Sequence, residues 1–102
     1  MYNLDVTDHA EQDLDLIIAY IANKLAAPVA AANFVEAVYD CYDNLEENPF
    51  MYEQCRDAKL KREGYRRAVI KNYVLIYKIN EETNKVVVHR FFYGRQDYVN
   101  LI

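Results

Sequence analysis

The stretch GYRRAVIKNYVLIYKI, from Gly64 to Ile79, decides the fold. Two apolar runs rich in β-branched and aromatic residues, Tyr65–Ile70 and Tyr73–Ile79, are separated only by Lys71-Asn72. A two-residue link between such runs predicts an antiparallel hairpin, and Asn tolerates the left-handed conformations that turns need. A third run of this kind, Lys85–Tyr93, follows the polar turn Asn80-Glu81-Glu82-Thr83-Asn84. The three runs predict a meander of antiparallel strands. Cations at Arg66, Arg67, Lys71 and Lys78 are set among the apolar residues. Successive strand residues point to opposite faces, so only one of Arg66 and Arg67 can face whatever packs on the sheet.

Upstream of Gly64 the period changes. Tyr2–Val6 is short and alternating, and predicts a first strand. Asp8 followed by Glu11 resembles a capping box, with Thr7 as the other N-cap candidate. Ala10, Leu14, Ile17, Ile18, Ile21 and Leu25 then recur at helical spacing, with Glu11, Asp13 and Asp15 suited to the positive N-terminal end of the helix dipole. Pro28 fits the first turn of a second helix, whose apolar stripe is Ala31, Val35, Val38, Tyr42 and Leu45. Pro49 ends that helix, because the residue before a proline avoids the α region. Pro49–Glu63 has no clear period and reads as a loop with room for a short strand or turn. The tail RQDYVNLI, residues 95–102, can close over one sheet face. The architecture expected is α+β, in the order β-α-α-β-β-β. An αα-hairpin packs on one face of an antiparallel sheet, in a single domain over 1–102.

Composition narrows the function classes. With 102 residues and 53% apolar content the chain can bury one core. No apolar run approaches the length of about 18 residues that spans a membrane. The acidic N-terminal stretch carries no basic leader, so a cytoplasmic protein is the expectation. Cys41 and Cys55 form no CxxC, and Cys41 reads as a small apolar helix residue. No cluster of histidine, cysteine and carboxylate has ligand spacing, and two glycines leave no phosphate-cradling loop, so neither metal nor cofactor is expected. The net charge of −4 hides an asymmetry. Residues 1–53 hold eleven acids and one cation, Lys24, whereas residues 54–102 hold eleven cations and five acids. A charge run alone is most often a solvated face. A split across one small domain predicts a dipolar surface whose basic side attracts phosphates or an acidic partner. Lys59, Lys61, Arg62, Arg66, Arg67 and Arg90 are the candidates for that contact.

The order of these elements resembles the RelE/ParE superfamily, the toxins of bacterial type II toxin–antitoxin modules. So do the pattern from Ala10-Glu11-Gln12-Asp13-Leu14 through Tyr20-Ile21, the Gly64-Tyr65-Arg66 step, the Asn72-Tyr73 to Tyr77 strand and the ending Tyr93-Gly94-Arg95-Gln96-Asp97. The resemblance covers essentially the whole chain. It implies a cognate antitoxin as partner and one of two activities. RelE-like members cut mRNA on the ribosome; ParE-like members share the fold, lack the nuclease residues and poison DNA gyrase.

Metal-free RNA cleavage through the 2′-hydroxyl needs a base, an acid and cations on the phosphorane. Aligned on the RelE pattern, one arginine position becomes Val74 and another becomes Gln96, while the C-terminal tyrosine falls at Ile102 or at nothing. Arg66, Arg95, Tyr98 and His89 remain as catalytic candidates. His9 and Glu53 are weaker ones, because nothing in the sequence positions them. For Arg66 the structural alternative is a pair with an acid such as Asp97, or a cap on the helix-hairpin end. Tyr65, Tyr73, Tyr77 and Tyr93, interleaved with arginines, suit base stacking or a platform for an antitoxin segment. These departures favour a ParE-like growth inhibitor acting on gyrase, of the plasmid-stabilisation kind, over a ribosome-dependent mRNA endonuclease. An inactive relic that only binds its antitoxin is the third reading.

Overall fold

The computed structural model describes residues 1–102. The strands are β1 (Asn3–Val6), β2 (Tyr65–Ile70), β3 (Tyr73–Asn80) and β4 (Lys85–Tyr93). The helices are α1 (Asp8–Ala19), α2 (Pro28–Glu47) and α3 (Ala58–Arg62). The sheet runs β1-β4-β3-β2. The meander β2-β3-β4 is antiparallel as expected, and β1 is added to β4 in parallel, which makes the sheet mixed. That parallel pairing is possible because the two helices supply the long crossover it needs.

Thr7, not Asp8, caps α1: its Oγ1 accepts from the Ala10 N–H at 3.0 Å and donates to the His89 carbonyl at 3.0 Å. One hydroxyl therefore satisfies an orphan helix donor and ties the helix start to β4. α1 ends in a π-helical turn, Tyr20–Lys24, and the chain reverses at Ala26, whose φ of 49° is the left-handed cap geometry. Pro28 opens α2 as expected. The α2 residues that reach the core are Ala31, Phe34, Val38, Cys41 and Leu45. Val35 and Tyr42 sit at the margin, and Leu25, expected in the α1 stripe, is exposed.

The main core lies between the helical hairpin and one sheet face, where Ala68, Ile70, Leu75, Tyr77, Val86, Val88 and Phe91 meet the helices. The other face is more covered than the sequence indicated. Cys55, Leu60, Val74, Ile76 and Phe92 form a second buried cluster, closed by Tyr65, Tyr98 and Val99. The segment read as a loop, 49–63, supplies much of this cover. It holds a 3-10 turn (Pro49–Met51), a bridge from Gln54 to Arg66 and α3, whose Leu60 is the anchor. Gly64, at φ +91°, turns α3 into β2, a backbone that a side chain rarely adopts.

The register slips between β3 and β4. Ile76 lies opposite Arg90 and Tyr77 opposite Val88, so His89 is the extra residue of a β-bulge. The bulge re-phases β4: Val86 and Val88 face the helices before it, and Phe91 does so after it.

Candidate functional site

Arg66 is the cation that turns toward the helices. Its Nη2 donates to the carbonyls of Tyr52 at 2.6 Å and Phe50 at 3.2 Å, and the guanidinium lies 5.5 Å from the centre of the Phe50 ring. It therefore holds the turn that follows α2, the capping role, and does not pair with Asp97. The same turn is held from β3: the Tyr77 hydroxyl donates to the Pro49 carbonyl at 2.6 Å. Burial pushes the Tyr77 hydroxyl up to about 12, against the opposing pull of Arg66. With no exposed area, Tyr77 is not available to stack on a base or a partner, contrary to the expectation for it.

Arg67 takes the opposite face. Its Nη1 lies 2.9 Å from the Glu53 carboxylate, which also reaches Arg56 at 3.5 Å. Arg90 is clasped by Asp13 of α1, with Nε at 2.7 Å and Nη2 at 3.1 Å, and the same carboxylate accepts the Phe91 N–H at 3.0 Å. Its Nη1 donates to the Leu101 carbonyl at 3.3 Å. The guanidinium thus joins helix, strand and tail, and is occupied within the fold. Lys59, Lys61 and Arg62 stand exposed on α3, and none takes part in an ion pair.

The other catalytic candidates do not converge. His89 is half-buried on the bulge, with the Tyr65 ring edge-on at 5.5 Å and the Lys78 ammonium 4.3 Å from the centre of that ring. Burial, and then Lys78, lowers the imidazole below its ordinary value of 6.5. It faces a polar cleft between β3 and β4. Tyr98 stacks on Phe92 at 5.5 Å and 15°, closing the second cluster. Arg95 is exposed and lines a different cleft, at the β2–β3 turn. Val74, where the nuclease pattern has an arginine, is 1% exposed beneath Leu60 and Cys55. His9 is exposed at the start of α1.

One surface gathers features that the sequence left apart. The cleft at the β2–β3 turn, about 390 Å³, carries Arg67, Lys71 and Arg95 with Tyr73 and Tyr93, and no carboxylate lines it. Tyr93 meets Tyr73 edge-on at 5.7 Å. Next to it lies an apolar recess of about 340 Å³ formed by Ile21, Leu25, Ala30, Phe34 and Tyr73. The exposed Tyr20 and Leu25 extend this apolar area along the end of α1. Leu25 and Lys71 read as a stripe residue and a turn residue in sequence. Only the return of α1 beside the hairpin turn makes them neighbours. No group of three or more metal-ligating side chains converges in the structure.

The family model for the ParE toxin of the type II toxin–antitoxin system parDE matches residues 4–98. Among solved structures, the chain is similar to one from the chromosomal ParDE toxin–antitoxin system of P. aeruginosa, with a TM-score of 0.71 at 16% identity over 91% of this chain and 96% of that one. It is also similar to one from the toxin–antitoxin complex RelBE2 of Mycobacterium tuberculosis, with a TM-score of 0.63 at 24% identity over 90% and 96% of the two chains. These two likenesses concern the fold. No curated protein sequence matches significantly.

Proposed function

This chain belongs to the ParE toxin family of type II toxin–antitoxin systems, and from that membership we propose that it arrests growth by acting on DNA gyrase, without cleaving RNA. The observation that carries this reading is the packing at Val74. Where the nuclease pattern has an arginine, an apolar side chain is sealed under Leu60 and Cys55. The groups that remain are engaged elsewhere: Arg66 on the carbonyls of the turn after α2, Tyr98 on Phe92. General acid–base cleavage needs a proton donor and acceptor within hydrogen-bond reach of one substrate. His89 and Arg95 line separate clefts. In this reading the protein works in the cytoplasm as the toxin of an addiction module, and a cognate antitoxin binds it and holds it inactive. No helix is long and apolar enough to cross a membrane.

Pulse labelling of DNA and protein synthesis, after induction of this chain alone in a bacterium, tests the proposal. DNA synthesis is expected to fall first, and purified protein to inhibit supercoiling by gyrase. An earlier fall in protein synthesis sinks the gyrase reading in favour of mRNA cleavage. Continued growth with neither fall sinks both and leaves an antitoxin-binding relic.

A further inference from the structure

Two clefts meet at the β2–β3 turn. One is the basic cleft of about 390 Å³ that holds Lys71 and Arg95. The other, about 420 Å³, is walled by Tyr20, Leu25, Tyr73 and Tyr93. Asn72, Tyr73 and Tyr93 line both, so the two adjoin, and each is of small-molecule size. No carboxylate faces either part. The polar groups here are unengaged. Arg67, on the far wall, is paired with Glu53, but Lys71 and Arg95 are exposed and take part in no ion pair. The hydroxyls of Tyr20, Tyr73 and Tyr93 and the side-chain amide of Asn72 make no hydrogen bond within the chain. Burial, and then the nearby Tyr20 and Tyr93, raise Tyr73 above the usual tyrosine value, which fits three phenols gathered at one place.

Two backbone features build this arrangement. The Gly94 N–H donates to the Asn72 carbonyl at 2.8 Å, and a Cβ at Gly94 would stand 3.1 Å from that same oxygen. Glycine therefore lets the end of β4 close on the hairpin turn, with Tyr93 and Arg95 on either side of the contact. Lys71 sits at φ 56°, where asparagine or glycine would be less strained, so the turn keeps a long cation in spite of its backbone. The cations call for an anion, and the tyrosine walls call for a flat ring joined to it. Inorganic phosphate would leave the tyrosine cleft empty. A hydrocarbon acid would leave the phenol hydroxyls and the Asn72 amide without partners. We propose that the paired clefts bind a nucleoside phosphate, with its base against Tyr20 and Tyr93, the base edge on the Asn72 amide, and its phosphates on Lys71 and Arg95. Tyrosine faces stack on any base, and charge-assisted hydrogen bonds hold phosphate oxygens. No histidine or carboxylate lines the clefts to act as a base, so the site binds and does not cleave. A free nucleotide and the phosphorylated end of a nucleic acid strand offer the same chemistry.

The test uses the whole protein, labelled with nitrogen-15, and follows the amides of Lys71, Asn72, Tyr93 and Arg95 as ATP is added. Adenosine alone and inorganic tripolyphosphate alone are each expected to bind about tenfold or more weakly than ATP, since one lacks the charge and the other the stack. Added salt is expected to weaken ATP binding and to leave adenosine binding unchanged. Tyr93→Ala is expected to weaken ATP binding about tenfold, the loss of one base stack, and Arg95→Gln to weaken it several-fold. Should Tyr93→Ala lose the parent's circular dichroism spectrum, Tyr20→Ala reports on the same wall. A 5′-phosphorylated oligonucleotide that displaces ATP, where the unphosphorylated strand does not, upholds the site and assigns it to strand ends. ATP binding that neither strand displaces upholds it and assigns it to free nucleotides. No shifts at these four amides with millimolar ATP, tripolyphosphate binding as tightly as ATP, or full ATP affinity in a folded variant carrying both Tyr93→Ala and Arg95→Gln overturns the proposal. None of these readouts involves growth arrest, so the site stands or falls apart from the toxin's target.

Discussion

Tyr77 has no exposed area, and its hydroxyl reaches the Pro49 carbonyl at 2.6 Å. Removing that hydroxyl leaves a buried acceptor without its donor, which costs about 1–3 kcal/mol. Tyr77→Phe is therefore expected to lower the unfolding free energy by that amount, read as a lower urea midpoint with the fold unchanged. A variant as stable as the parent would show that the bond contributes nothing net. The Tyr77 hydroxyl is protonated at neutral pH, as any tyrosine is, and burial extends that donor state further into the alkaline range. The pairing of Tyr77 with Pro49 was not legible in sequence, because twenty-eight positions separate the two residues and no periodic pattern links them. Arg66 was legible as important. Its partners, the carbonyls of Phe50 and Tyr52, were not, since backbone acceptors leave no mark in the residue pattern.

Among the elements, the hairpin β2–β3 was read from its sequence nearly to the residue, because its turn is only two residues long and both strands alternate cleanly. The turn itself carries strain. Lys71 has φ 56°, a left-handed conformation that costs a residue with a side chain about 1–2 kcal/mol. Glycine removes that cost and gives back part of it through greater freedom in the unfolded chain. Lys71→Gly is expected to stabilise the protein by about 0.5–1 kcal/mol in urea unfolding, and a loss of stability would show that the lysine side chain outweighs the strain. The bulge at His89 was not legible. Lys85–Tyr93 reads as one alternating run, and the extra residue appears only once β4 must serve the helices at Val88 and again at Phe91. In α2 the buried stripe is turned by about one position from the expected one, with Phe34 and Cys41 in the core and Val35 and Tyr42 at its margin. Phe34 packs on Tyr73 of β3, and Cys41 lies beside Tyr52 and Tyr77, so the sheet and the turn after α2 draw on positions next to the expected stripe.

At the scale of the molecule, the tail joins the two halves of the charge split. Tyr98 stacks on Phe92, and Arg90 holds both Asp13 and the Leu101 carbonyl. Deleting residues 98–102 exposes Phe92, now 2% exposed, at a cost of about 1–2 kcal/mol. The main core, which the tail does not touch, is expected to keep the truncated protein folded by circular dichroism. In the gyrase reading the same truncation abolishes growth arrest, and a truncated protein that still arrests growth would show that the tail takes no part in meeting the target. The single domain, the helical hairpin, the three-strand meander and the uneven charge followed from sequence alone. Hydrophobic period, turn residues and proline positions act over a few neighbours and are written locally. Tertiary structure alone decided the parallel placement of β1, the second cluster under α3 and the tail, and which of Arg66 and Arg67 is held by the helices' side. Each of these depends on which distant segments compete for the same backbone groups and the same apolar surface, and that competition is settled only when the whole chain packs.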